Sequence, residues 1–117
     1  MVQLTQLNAN MWTVDVKMVD YDVRGAVVIG EDYAVVWDTL THPRDMAQVS
    51  QLIGDKPYYV VYSHADWDHI WGTAGLVNDP LVIVAQAHCH ERFSLDVPQT
   101  LVQMQADEPN RWDDVEL

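Results

Sequence analysis

The chain has 117 residues, enough for one domain with a single modest core. Hydrophobic residues make up 49%, which excludes a disordered chain. Lys and Arg number 6 against 18 Asp and Glu, and the formal charge of −12 argues against nucleic acid and membrane surfaces as partners while attracting divalent cations.

The opening MVQLTQLNAN has no basic n-region and no long apolar run, so it does not read as a signal peptide. No stretch approaches the ~20 apolar residues of a membrane span. Cys89 is the single cysteine and excludes an intrachain disulfide. These features predict a soluble cytoplasmic protein.

From Met11 to Val19 the pattern alternates, with Trp12, Val14, Val16 and Met18 on one side and Thr13, Asp15 and Lys17 on the other. Period two predicts a half-buried strand. Asp20 to Asp22 read as a turn, Gly25 to Gly30 as a second strand, Glu31 and Asp32 as a tight turn, and Tyr33 to Trp37 as a third strand. Together they predict an antiparallel meander. Thr39 to Pro43 is a loop with Pro43 at a helix start, and Met46, Val49, Leu52 and Ile53 recur at helical spacing before Gly54, a stop signal. PYYVVY, Pro57 to Tyr62, predicts a strand buried on both faces. A short helix over Ile70 to Val77, a buried strand over Pro80 to Ala85, and helical segments over Gln86 to Phe93 and Pro98 to Ala106 follow. The acidic tail from Asp107 to Leu117 carries no regular signal. A helix between two buried strands implies a crossover, so the class is α/β, or α+β, with a mixed sheet. No internal repeat or linker divides the chain.

The chemistry concentrates in YSHADWDHIWG, residues 62 to 72, where His64, Asp66, Asp68 and His69 fall within six positions. They follow the carboxyl end of an apolar strand, a usual place for ligands in such sheets. In an extended loop, residues 64, 66 and 68 would share one side, and His69 would approach from the start of the next helix. Imidazole nitrogens mixed with carboxylate oxygens suit zinc, iron or manganese better than calcium or magnesium. The structural alternative has His64 capping the helix or bonding to backbone. Trp67 and Trp71 could line a pocket or pack in the interior; Tyr58, Tyr59 and Tyr62 read as strand and core residues. His42 reads as a solvated loop histidine, and Cys89 as a small core residue.

VVYSHADWDHIWG resembles the first metal-binding motif of the metallo-β-lactamase fold superfamily, His-x-His-x-Asp-His after a hydrophobic strand. His64, Asp68 and His69 match, and Asp66 stands where the second histidine would be. YAVVWDTLTHP resembles the family's early meander, ending at Asp38, which the resemblance makes the residue that supports the metal loop. The resemblance implies that His64 and position 66 bind a first metal, and Asp68 and His69 a second. It implies a metal-bound hydroxide that hydrolyses an ester, thioester, lactone or similar bond of a small-molecule substrate. In mononuclear versions Asp68 can instead orient or deprotonate the water, which makes it the candidate catalytic residue. Zinc, as one or two ions, is the leading cofactor; iron or manganese is the alternative. Asp66 adds negative charge, weakens Lewis acidity and hardens the site toward iron or manganese. A flavodiiron-like iron redox protein is therefore an alternative.

The family's later half supplies further ligands, and no Gly-His pair of that kind occurs here. Three readings stay open: a fragment, completion by another copy or chain, or a local site completed by His88 and His90 of AQAHCHE. The resemblance thus predicts the N-terminal half of an αββα sandwich, residues 1–117 forming one truncated domain. One sheet face would be bare, which points to a homo-oligomer and to a further alternative, a non-catalytic oligomerising half-domain with a vestigial site.

Overall fold

In the computed structural model the described residues are 2–64, 66–76, 78–94 and 96–107, without the side chains of residues 88, 90, 91, 94, 96 and 97. The expectations for the tail from 108 onward lie outside them.

Six strands form one mixed sheet in sequential order: β1 (Val2–Asn8), β2 (Met11–Lys17), β3 (Asp22–Ile29), β4 (Ala34–Trp37), β5 (Tyr58–Val61) and β6 (Ile83–Val84). β1 to β4 pair antiparallel, and β4, β5 and β6 run parallel. The mixed α/β class is that expected from the sequence. The tight turn after β3 closes with Gly30 N–H donating to the Tyr33 carbonyl at 2.9 Å. A 3-10 turn (Pro43–Met46) leads into α1 (Ala47–Ile53), which carries the chain across to β5. Gly54 ends α1 at φ 61, a left-handed conformation that glycine adopts without a Cβ penalty. α2 (Trp67–Ile70) and a second 3-10 turn (Thr73–Gly75) connect β5 to β6, and α3 (Ala87–Ser94) and α4 (Asp96–Asp107) follow.

Alternation decides the faces. Val14, Val16, Val23, Val27, Val36 and Val60 point into one cluster with Met46, Val49, Ile53, Ile70, Trp71 and Leu101 from the helical segments. The register places the opposite set together: Met11 opposite Val28, Val28 opposite Val35, Val35 opposite Tyr59, and Val61 opposite Val84. On that face Trp37 is 48% and Val84 49% exposed, so the apolar face continues to the sheet edge.

Four expectations are corrected. β1 was not expected: VQLTQLN is largely polar, and as an edge strand it needs only Val2 and Leu4 to face the cluster. β5 buries Tyr58 and Val60, while Tyr59 and Val61 are half-exposed, so it is covered on one face only. The strand expected as buried over residues 80–85 is two residues long, at the sheet edge, with Leu81, Val82, Ile83 and Val84 all exposed. Hydrophobicity identified a strand there and cannot say whether anything lies against it. Finally, the helix after the site begins at Trp67 rather than Ile70, which puts Asp68 and His69 on its first turn.

Candidate metal centre

The site lies beyond the carboxyl ends of β4 and β5. After Trp37 the backbone takes two left-handed non-glycine conformations, Asp38 at φ 60 and Leu40 at φ 65. Each is disfavoured for a side chain with a Cβ and persists only where the surroundings hold it. They do: Asp38 N–H donates to the Val61 carbonyl at 2.9 Å, Thr39 N–H donates to the His69 carbonyl at 2.8 Å, and Leu40 is fully buried. The loop is thereby tied to β5 on one side and to α2 on the other.

This places the Asp38 carboxylate, 3% exposed, beneath the motif. Its Oδ1 accepts the Ser63 backbone N–H at 2.8 Å. Its Oδ2 accepts the Ser63 hydroxyl at 2.6 Å and the His69 Nδ1–H at 2.8 Å. With Nδ1 engaged, His69 presents Nε2, which lies 3.7 Å from Asp68 Oδ1. The His64 ring is 4.1 Å from the His69 ring, centroid to centroid. His64, Asp68 and His69 each offer a ligand atom within 4.8 Å of the others. Ligands about 2.1 Å from a tetrahedral ion lie about 3.4 Å apart, so small side-chain rotations close the group on a cation.

Burial pushes the Asp38 carboxyl up, but the hydrogen bonds from His69 and Ser63 outweigh it and hold it below the ordinary carboxylate range. The bond to Asp38 lifts His69 above the ordinary histidine range against the opposing effect of burial, helped by Asp68. The two shifts set a window. Stability from the depressed carboxylate is present above the unfolded aspartate value, near 3.9, and is lost as pH falls through the folded value. Stability from the raised histidine is complete below the unfolded value, near 6.5, and is lost as pH rises through the folded value. The metal-free chain is therefore expected to resist urea best between about pH 4 and 6.5. Urea midpoints measured across pH should show that maximum, and His69→Gln should flatten its alkaline limb.

Asp66 is placed differently from the other three. It precedes α2 in extended conformation without a side-chain capping bond. Its Oδ1 accepts from Arg92 of α3 at 2.8 Å, and its Oδ2 is 3.3 Å from His64 Nε2. It stands outside the three-residue group because α2 begins at the next residue, so positions 64, 66 and 68 do not share one extended side. His88 and His90 lie on α3, and their side chains fall outside the described residues.

His42 is corrected from a solvated residue to a buried one, 3% exposed. It opens the 3-10 turn: its Nδ1 accepts the Arg44 N–H at 3.1 Å, while Asp45 Oδ2 accepts the His42 N–H and both the N–H and hydroxyl of Thr41. That buried cap fixes the loop bearing Asp38. Trp71 is 1% exposed and belongs to the core, with Trp67 packed beside it at 5.1 Å between rings. Tyr62 donates to or accepts from the Thr73 hydroxyl at 2.5 Å, and Cys89 is buried.

Sequence reasoning missed Ser63 and Arg92. A hydroxyl directly before His64 at a strand end was a signal for the first. Nothing local marks Arg92, which meets Asp66 only through the fold, 26 residues on.

No helix among the described residues is long and apolar enough to cross a membrane. No curated protein matches the sequence. Solved structures do. The FIM-1 metallo-beta-lactamase of Pseudomonas aeruginosa, in its mono-zinc form, is 23% identical with a TM-score of 0.59 over 78% of this chain and 44% of that one. A metallo-beta-lactamase from Hirschia baltica is 22% identical with a TM-score of 0.61 over 77% and 45%. The DIM-1 metallo-beta-lactamase exposed to ceftazidime is 19% identical with a TM-score of 0.65 over 80% and 47%. At such identities the likeness is one of fold, and the chain spans less than half the length of these structures. The sequence matches the metallo-beta-lactamase superfamily over residues 23–109, which include nearly all of β3, β4, Asp38 and the three converging side chains His64, Asp68 and His69, and the chain belongs to that superfamily.

Proposed function

We propose that the chain carries a metal-dependent hydrolase site in which His64, Asp68 and His69 hold a zinc ion and act on an ester, thioester, lactone or similar bond. The observation that carries this reading is the convergence of those three side chains, with His69 held from behind by a buried carboxylate. Two imidazoles and one carboxylate make a donor set used by catalytic zinc, and the neighbouring FIM-1 fold is described in a mono-zinc form. The same donors serve ferrous iron, which metal analysis distinguishes.

Asp66 bears on the choice of metal. As a fourth ligand it would add a charge and harden the site. Paired with Arg92, that charge is balanced, and the group keeps the softer balance that suits zinc. The pair is half-exposed, so it steers the carboxylate without locking it.

A bound zinc ion supplies Lewis acidity, lowering the pKa of a water to about 7 and polarising the scissile carbonyl. The rest belongs to the chain. Asp38 keeps His69 in one tautomer and one orientation. Asp68, at the rim and about one-fifth exposed, would hold the ion through one carboxylate oxygen and take the proton that the attacking water gives up on the other.

Turnover of ester, thioester and lactone probes by the zinc-loaded chain tests this reading. Asp68→Asn is expected to lower turnover by at least about 100-fold, the contribution of a positioned acid or base. Turnover untouched by Asp68→Asn, or surviving chelation, would contradict it, as would zinc-loaded protein that turns over none of the probes.

A further inference from the structure

We infer that Ser63 is a positioning residue: its hydroxyl relays the Asp38 carboxylate to His64 and holds that ring with Nδ1 protonated and Nε2 open. This rests on the reading of the site as a cation centre, and it extends that reading to a residue outside the ligand group.

An ionised carboxylate only accepts. Asp38 Oδ2 lies 2.6 Å from Ser63 Oγ, so the single hydroxyl proton of Ser63 is spent on Asp38. Ser63 Oγ also lies 2.8 Å from His64 Nδ1. With its proton already given, Oγ can only accept there, so the hydrogen resides on His64 Nδ1. The carboxylate therefore governs both histidines, His69 directly and His64 through one hydroxyl, and leaves both Nε2 lone pairs available.

A competing partner exists. Asp66 Oδ2, 3.3 Å from His64 Nε2, would prefer the hydrogen on Nε2. Distance and chemistry decide between them. The Ser63 bond lies within the usual N–H to oxygen range and the Asp66 contact just outside it. A hydroxyl that donates to a carboxylate is also polarised into a better acceptor. Asp66 is moreover engaged by Arg92. The His64 Nε2 lone pair is thereby left for the cation held with Asp68 and His69.

Two-bond nitrogen–proton NMR of the metal-free chain at alkaline pH reads the tautomers directly. We expect the Nδ1–H form at both His64 and His69. In Ser63→Ala, His64 should move to the Nε2–H form toward Asp66 while His69 keeps Nδ1–H, and zinc affinity measured by calorimetry should fall by about tenfold. Ser63→Thr should restore both. A merely structural serine would not move one histidine and spare the other. His64 found in the Nε2–H form in the unmodified chain overturns the inference, and so does Ser63→Ala with its tautomer and zinc affinity unchanged. The tautomer is read without metal or substrate, so its failure is distinct from a failure of hydrolysis.

Discussion

Asp38→Ala should weaken zinc binding by about 10- to 100-fold, the usual consequence of removing a carboxylate that orients a ligating histidine. It should also destabilise the metal-free chain by about 3 kcal/mol, because three donors lose a common charged acceptor. Those donors are the Ser63 amide, the Ser63 hydroxyl and His69 Nδ1. The backbone adds to the cost, since position 38 sits at φ 60, where alanine is strained. Asp38→Asn separates these contributions. Asparagine tolerates the left-handed conformation, so the stability loss should be smaller. Its amide donors, however, would face Ser63 and His69, reversing the proton assignments, so zinc binding should fall as it does in Asp38→Ala. Urea denaturation and zinc calorimetry on the two variants measure both quantities. Wild-type zinc affinity in Asp38→Asn would show that the carboxylate does not organise the site.

Gly72→Ala should be severely destabilising. A Cβ at this position would stand 1.7 Å from the Thr39 carbonyl oxygen and 3.1 Å from that of His42. Both are backbone atoms and cannot rotate away. Relief requires the turn after α2 to lift off the loop that follows β4. That motion pulls on the bond from Thr39 N–H to the His69 carbonyl and on the contact between the Thr39 and Thr73 hydroxyls, 2.9 Å apart. Overpacking of this kind costs about 3 kcal/mol or more, a large share of a small domain's stability. Gly54→Ala is the control. Its φ of 61 disfavours a side chain, but nothing lies within 4 Å of the added Cβ, so a loss of about 1–2 kcal/mol is expected. Urea midpoints rank the two. Gly72→Ala within about 0.5 kcal/mol of the parent, the range of an ordinary surface change, would refute the close packing of loop and turn.

Most of the scaffold is legible in the sequence because its signals are local. The alternation around Val14 and Val16, the turn at Glu31 and Asp32, Pro43 ahead of α1 and Gly54 behind it each declare an element without reference to the rest of the chain. What was hidden depends on partners. β1 is a strand because β2 pairs with it, and β6 is exposed because it ends the sheet; neither fact is written in QLTQL or LVIV. The site shows the same division. His64, Asp68 and His69 stand out by residue type and spacing, and Asp38 by resemblance to the family's meander. The departure of Asp66 toward Arg92 needs the placement of α3, and the grip of Asp38 on Ser63 needs two strand ends side by side. The two left-handed residues at 38 and 40 leave no mark on composition at all.

Direct titration of zinc into the metal-free chain, alongside the triple variant His64→Ala, Asp68→Ala, His69→Ala, tests whether these three side chains form a cation centre. The geometry predicts saturable binding of at least one equivalent in the parent chain and its loss in the triple variant. Binding of equal strength in both, or none in the parent, would contradict it.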